Sequence, residues 1–259
     1  MKPAIRYAYN NDYIRKDFSS AIVLPKESEQ IRMEKNNKQK SFTAKQQELF
    51  INAIKGHKME VLFLTALYTG MRQGELLALT WDDINLDEMY IDVNKNVVKT
   101  AYVDVDSKGS YKYEVQTPKT LSSIRKVFIP SLLIEPLQSL KIKQKARYKK
   151  LGNLYHLELN LVFCNSKGFY LDAGNVRKKF KEVAKEIGAP DVTFHSMRHA
   201  YASRLFENNV KDKTVQKLLG HSNISTTLNI YTHVQEEILR SAVNTFEGQK
   251  GAKKGQIEI

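Results

Sequence analysis

A mainly helical fold carrying a small three-stranded antiparallel β-sheet (an α+β domain) is the class this sequence predicts. Three observations carry the prediction. Apolar residues recur at helical spacing in the first and last parts of the chain, and the period turns strand-like between about residues 89 and 129. The third is a 42% hydrophobic content over 259 residues, enough to enclose a real core.

The elements follow in order. Residues 3–14 have the pattern of one helix, and a loop then runs to Leu24-Pro25. One helix and a loop cannot enclose a core, so this segment is expected to be the end of another domain or an arm. Residues 25–41 are polar, charged and poor in large apolar side chains, the composition of a linker. Thr43-Ala-Lys-Gln46 has the capping-box pattern, with Leu49, Phe50, Ala53 and Ile54 at helical spacing behind it. The apolar stretch 59–68 runs to Gly70, a helix C-cap, and 72–79 forms a further short helix. Met89-Tyr-Ile-Asp-Val, 112–116 and 125–129 are rich in strand formers, with turn chemistry at Lys108-Gly109 and Thr117-Pro118. They predict the three-stranded sheet, with Lys119 and Thr120 in the turn between its last two strands. Helical period returns over 131–150, 174–187 before Gly188, 195–207 before Asn208-Asn209, 212–219 before Gly220, and 225–231. The glycine- and lysine-bearing tail from Glu247 reads as flexible.

Charge narrows the function. Lys and Arg number 41 against 28 Asp and Glu, a net +13, which is the footprint of a polyanion binder. Residues 141–150 hold six basic side chains and no acid, making Lys141, Lys143, Lys145 and Arg147 candidate DNA contacts, although a solvated helix face reads equally well there. No strongly amphipathic basic helix with large apolar anchors accompanies them, which favours nucleic acid over a membrane surface. The single cysteine, Cys164, excludes an internal disulfide and a cysteine-based zinc site. No apolar run approaches the ~18 residues of a membrane span, and Met1-Lys-Pro-Ala-Ile-Arg lacks an apolar signal core. The expectation is a soluble protein of a reducing compartment.

Five short pieces carry chemistry. Thr69-Gly-Met-Arg72-Gln-Gly-Glu75 places Arg72 and Glu75 three residues apart at a helix start, where a guanidinium and backbone N–H groups suit a phosphate. Thr117-Pro-Lys119-Thr-Leu-Ser-Ser-Ile-Arg125 puts Lys119 at a hairpin tip. Phe194-His195-Ser-Met-Arg198-His199 pairs a titratable group with a permanent cation on one helix face. His195 and His199 are four residues apart, but Ser196 stands where the metalloprotease motif requires Glu, so metal is not expected. The remaining pieces are Leu218-Leu-Gly220-His221 and Leu228-Asn-Ile-Tyr231. Taken singly, each has a plainer reading: an i,i+3 ion pair, a solvated lysine, a core tyrosine.

Their order, Arg…Glu…Lys…His-x-x-Arg…Leu-Gly-His…Tyr, resembles the tyrosine recombinase (phage-type integrase) family over about residues 41–247. The local contexts TGMRQGEL, HSMRH and LLGHSNISTTLNIY match as well as the spacing. The resemblance implies the catalytic-domain fold of that family and site-specific cleavage and rejoining of double-stranded DNA. The intermediate would be a 3′-phosphotyrosyl link, serving integration or excision of a phage or conjugative transposon. Tyr231 would be the nucleophile, Arg72 and Arg198 the phosphate clamp, and His195 the acid/base partner. Lys119 would protonate the leaving 5′ oxygen, His221 would hydrogen-bond the phosphate, and Glu75 would support the Arg/His pair. No cofactor or metal is implied.

The partners implied are DNA attachment sites and three further copies of the chain, a homotetramer on DNA through exchange of the C-terminal tail, with a monomer without DNA. The place implied is the bacterial cytoplasm, at the nucleoid when acting. The expected division is 1–24 as the last helix and exit loop of a truncated core-binding domain, 25–40 as linker, 41–247 as catalytic domain and 248–259 as tail. Two departures from the family pattern stand out: Ser196 where an acidic residue is usual, and Asp17-Phe18 where Asn-Pro is common. Alternatives are a non-catalytic regulator using 212–231 as a helix-turn-helix, a type IB topoisomerase sharing the Arg/Lys/Arg/His/Tyr logic, and a silent remnant.

Overall fold

A computed structural model describes residues 2–23, 42–104, 107–117, 124–220 and, beyond these, 224, 225, 227, 228 and 230. The chain divides into two compact units, Met1–Gln39 and Lys40–Ile259. In the first, helix α1 (Lys2–Asn10) is shorter than its apolar pattern predicts. The Asn11 side-chain amide donates to the Tyr7 carbonyl at 2.8 Å, which closes its last turn.

The second unit starts with α2 (Ala44–Ala53), whose Thr43 cap and Gln46 exchange hydrogen bonds as the capping box requires: Gln46 N–H donates to Thr43 Oγ1 and Thr43 N–H to Gln46 Oε1. Helix α3 (Glu60–Thr69) is apolar on every side, since it runs through the centre, and ends at Gly70 in the left-handed conformation with φ 60°. Helix α4 (Gln73–Ala78) follows after three residues, Gly70 to Arg72. Its Gly74 lies so close to the Asn96 side chain that a Cβ would collide with it and press on the Val97 carbonyl, so the segment from Asn96 packs directly on the helix.

The sheet differs from expectation in its membership. Strands β1 (Ile84–Asn85) and β2 (Tyr90–Val93) are joined by β5 (Arg125–Phe128), in the order β1-β2-β5, all antiparallel. Residues 112–116, expected as the middle strand, belong instead to β4 (Ser107–Gln116). That strand pairs with β3 (Asn96–Asp104) as a separate two-stranded ribbon from Asn96↔Gln116 onward. The reason is locality: two long strands adjacent in the chain satisfy each other's backbone without reaching the three-stranded sheet. β5 is left to pair with β2, where Ile91 and Val127 oppose each other and are fully buried. The ribbon is held down by Tyr113 stacked on Tyr170 at 5.3 Å and by the Lys99–Asp172 ion pair at 2.7 Å.

Helix α5 (Ile134–Leu151) follows a 3₁₀ turn at Ser131–Leu133, then α6 (Ala173–Glu186), α7 (Ser196–Glu207) and α8 (Asp212–Leu219). Residues 224, 225, 227, 228 and 230 are also helical. No helix among the described residues is long and apolar enough to cross a membrane.

Two apolar clusters organise this unit. The larger centres on Phe42, Phe50, Phe63 and Phe180, with ring centroids 5.2–6.0 Å apart in tilted and edge-on pairs, and it reaches Phe194 at 5.9 Å from Phe180. It therefore fixes the residue that precedes His195. The smaller cluster joins Ala202 and Phe206 of α7 to Val215 and Leu219 of α8 and to Ile230. Phe180→Ala should lower the unfolding free energy by ~3–5 kcal/mol in denaturant titration, because the ring leaves a cavity between three helices. The exposed Leu154→Ala should stay within ~0.5 kcal/mol; similar losses for both would contradict this packing.

Candidate active site

The site is built on the C-terminus of α8. The last carbonyls of a helix have no intrahelical donors and carry the negative end of the helix dipole, so cations gather there. Here the amide of Gly220 donates to Gln216 and Lys217, and the next three carbonyls are each taken by an arginine from a different element. Arg125 Nε donates to the Leu218 carbonyl at 2.9 Å, Arg198 Nη2 to Leu219 at 2.6 Å, and Arg72 Nη2 to Gly220 at 3.0 Å. Gly220, with φ 65°, turns the chain where a Cβ would lie only 2.9 Å from Arg125 Cδ.

Glu75 is the anion at the centre. Its carboxylate takes two hydrogen bonds from Arg125, at 3.1 and 2.9 Å, one from Arg72 Nη1 at 2.9 Å, and one from the Arg72 backbone N–H at 2.8 Å. Burial pushes its pKa up, but the Arg125 hydrogen bonds and charge, with Arg72, outweigh this and hold it below the usual carboxylate value. Three guanidiniums against one carboxylate and one helix dipole leave an excess of positive charge. Arg72 is the most open of the arginines of this cluster, its side chain 38% exposed, whereas that of Arg125 is 4% exposed.

Arg198 also donates from Nη1 to the Gly70 carbonyl at 2.7 Å. Burial, with the charges of Arg72 and Arg125, pushes it down to about 9, and the delocalised cation still keeps its proton at neutral pH. His195 lies below its ordinary value for the same reasons, burial first and then Arg198 and Arg72, so its imidazole is neutral at pH 7 and able to accept a proton. Its ring meets that of His199 edge-on, centroids 4.8 Å apart. His195 and Arg198 line a cavity of about 180 Å³ with Gln73, Arg177 and Thr193 over an apolar floor of Met71 and Phe194. Ser196, where an acid is usual, accepts from the Thr193 N–H at 3.0 Å and so closes the turn that presents His195.

Of the residues singled out in the sequence, Arg72, Glu75, His195 and Arg198 come together here. Lys119, His221 and Tyr231 lie outside the described residues. Lys141, Lys143, Lys145 and Arg147 sit on α5. Lys141 and Lys145 line a different cavity of about 100 Å³ beside Trp81, Tyr148 and Tyr155, which shares no residue with the first. Among the described residues, no group of three or more His, Cys, Asp or Glu side chains is placed to hold a metal ion. Sequence reasoning passed over Arg125, Gln73 and Arg177. Arg125 closes the Lys119 motif, but nothing in its local pattern points to a partner 50 residues away.

The model of the phage integrase family matches residues 40–237. The chain belongs to the phage integrase family. It is 38% identical over 249 residues to a XerC-like tyrosine recombinase of Caldanaerobacter subterraneus subsp. tengcongensis, covering 95% of the chain and 63% of that protein. It is 27% identical over 263 residues to the integrase of Staphylococcus phage L54a, covering 95% and 72%. With the ICEBs1 integrase of Bacillus subtilis it shares 29% over 179 residues, covering 68% and 45%. The chain thus spans under two thirds of the length of two of these three relatives. The fold is that of the Tn1549 transposon integrase in complex with transposon right-end DNA, with a TM-score of 0.63 at 24% identity over 94% of the chain and 76% of that structure. XerA recombinase gives a TM-score of 0.58 at 20% identity, covering 95% and 74%.

In this family member, the imidazole of His195 should titrate below the ordinary ~6.5 by NMR, because neighbouring cations disfavour its charged form. Arg72→Gln should move the midpoint upward, and a wild-type midpoint at or above ~6.5 would contradict the site. Because the folded value lies below the unfolded one, the contribution of His195 to stability is present above the unfolded value and is lost as pH falls through the folded one.

Proposed function

We propose that this chain is the catalytic portion of a site-specific DNA recombinase that integrates or excises a phage or conjugative transposon. The observation that carries the reading is the convergence of Arg72 and Arg198 on the end of α8, with surplus positive charge and with neutral His195 beside Arg198 in one cavity. A phosphoryl transition state spreads negative charge over its non-bridging oxygens, and two guanidinium forks match that distribution. Tyr231 Oη attacks the phosphorus while the bond to the 5′ oxygen breaks, leaving a 3′-phosphotyrosyl ester and a free 5′-hydroxyl. His195 takes the phenol proton, Lys119 gives one to the 5′ oxygen, and His221 adds a hydrogen bond to the phosphate. A 5′-hydroxyl from another strand then reverses the steps. One ester replaces another, so no ATP is consumed and no metal is called for.

The substrate is double-stranded DNA bearing an attachment site. Residues 1–24 act as the end of a core-binding domain, 25–40 as its linker, 41–247 as the catalytic domain and 248–259 as a tail. Four copies assemble on two duplexes by exchanging the tail, and the basic face of α5 contacts the DNA backbone, within a bacterial cytoplasm. The +13 charge and the relatives named as phage and element integrases support this reading.

The test is a nicked duplex carrying the ends of the host element, mixed with the chain without metal or ATP and read as an SDS-resistant protein–DNA adduct. Tyr231→Phe should abolish the adduct while retaining DNA binding. Arg198→Lys should slow its formation ~10²–10³-fold, since an ammonium cannot fork between two carbonyls and a phosphate. An adduct that survives Tyr231→Phe would overturn the assignment of the nucleophile.

A further inference from the structure

Arg125 has a geometry that neither stability nor substrate contact accounts for. All three of its guanidinium nitrogens are engaged inside the protein, Nε with the Leu218 carbonyl and the two Nη atoms with the two oxygens of Glu75. Its side chain is buried and, unlike Arg198, lines neither cavity, so it does not reach a bound phosphate. A buried ion pair is weak evidence for stabilisation by itself, because desolvation offsets much of the attraction. What sets this one apart is the identity of its two attachments. Glu75 is the residue that also holds Arg72, by backbone and by guanidinium. Leu218 opens the run of carbonyls whose next two members hold Arg198 and Arg72.

We propose that Arg125 is a positioning residue for the phosphate clamp: by gripping Glu75 and the end of α8 together, it sets the guanidiniums of Arg72 and Arg198. The inference rests on the recombinase reading for the reaction it serves. Arg125 begins β5 opposite Val93 of β2, so the sheet supplies the rigid anchor. Without Arg125, Glu75 would keep only Arg72 and would draw that guanidinium inward, and the Leu218 carbonyl would lose its donor. Lysine offers one point charge in place of a planar fork and can serve one attachment at a time. Gly220 belongs to the same device, since any side chain there would occupy the space of Arg125 Cδ and Nη1.

The experiment compares Arg125→Gln, Arg125→Lys, Glu75→Gln and the Arg125→Gln/Glu75→Gln double variant in single-turnover adduct formation at saturating nicked duplex, beside the Kd for the uncut duplex. Arg125→Gln should slow adduct formation by ~10²-fold with Kd within about threefold, because the defect lies in aiming the clamp and not in holding DNA. Arg125→Lys should recover part of the rate. The double variant should be no slower than its slower parent, since both act through one contact. Rates near wild type in Arg125→Gln, losses that multiply in the double variant, or a loss confined to Kd would each overturn the proposal. Should Arg125→Gln fail to fold, Arg125→Lys carries the comparison: slowed adduct formation at unchanged Kd supports the proposal, and a wild-type rate overturns it. Independently of cleavage, the Glu75 carboxyl carbon followed by NMR should titrate higher in Arg125→Gln than in wild type, and an unmoved titration overturns the coupling. Wild type that forms no adduct would sink the recombinase reading, whereas the Glu75 titration would still decide for or against Arg125.

Discussion

The attraction of three guanidiniums for the end of one helix organises this site. Like charges do not assemble unaided, and Arg72, Arg125 and Arg198 come from the cap of one helix, the start of a strand and the first turn of another helix. What brings them together is a row of carbonyls at the end of α8 with no donors of their own, reinforced by the carboxylate of Glu75. The cations satisfy the helix and the helix concentrates the cations. Neither Glu75 nor the helix end neutralises all three, and surplus positive charge remains at the site.

The hydrophobic core reaches this polar centre through a few side chains. The phenylalanine cluster ends at Phe194, so the packing of α2, α3 and α6 sets where His195 begins. The smaller cluster aligns α7 with α8, placing Arg198 beside the carbonyl it needs. Apolar packing thus sets the geometry and hydrogen bonds refine it. A loss in either cluster is expected to travel to the site without touching a charged group.

How much of this could be read from the sequence follows from the range of each interaction. The Thr43 capping box, the Gly70 and Gly220 helix ends and the Arg72–Glu75 pair are encoded within four residues, and each is where the sequence puts it. The resemblance that named Arg72, His195 and Arg198 together found the right family. Strand pairing was not legible: β-formers at 89–93, 112–116 and 125–129 state that strands exist, but which pairs with which is decided by the ribbon of β3 with β4 and by the burial of Val127 against Ile91. Arg125 escaped for a related reason. Its sequence neighbours are ordinary, and its meaning resides in Glu75 and Leu218, 50 and 93 residues away.

The long separations within the site have a consequence for how the molecule is made. Arg72 meets Gly220 across 148 residues and Arg198 meets Gly70 across 128. Closing a loop of that size costs about 2 kcal/mol more entropy than closing the 21-residue loop between Arg198 and Leu219, so the site is expected to close late in folding. A nascent chain still missing α8 therefore cannot assemble the arginine cluster, whatever else it has folded. A proteolytic fragment that ends before α8 lacks the arginine cluster for the same reason.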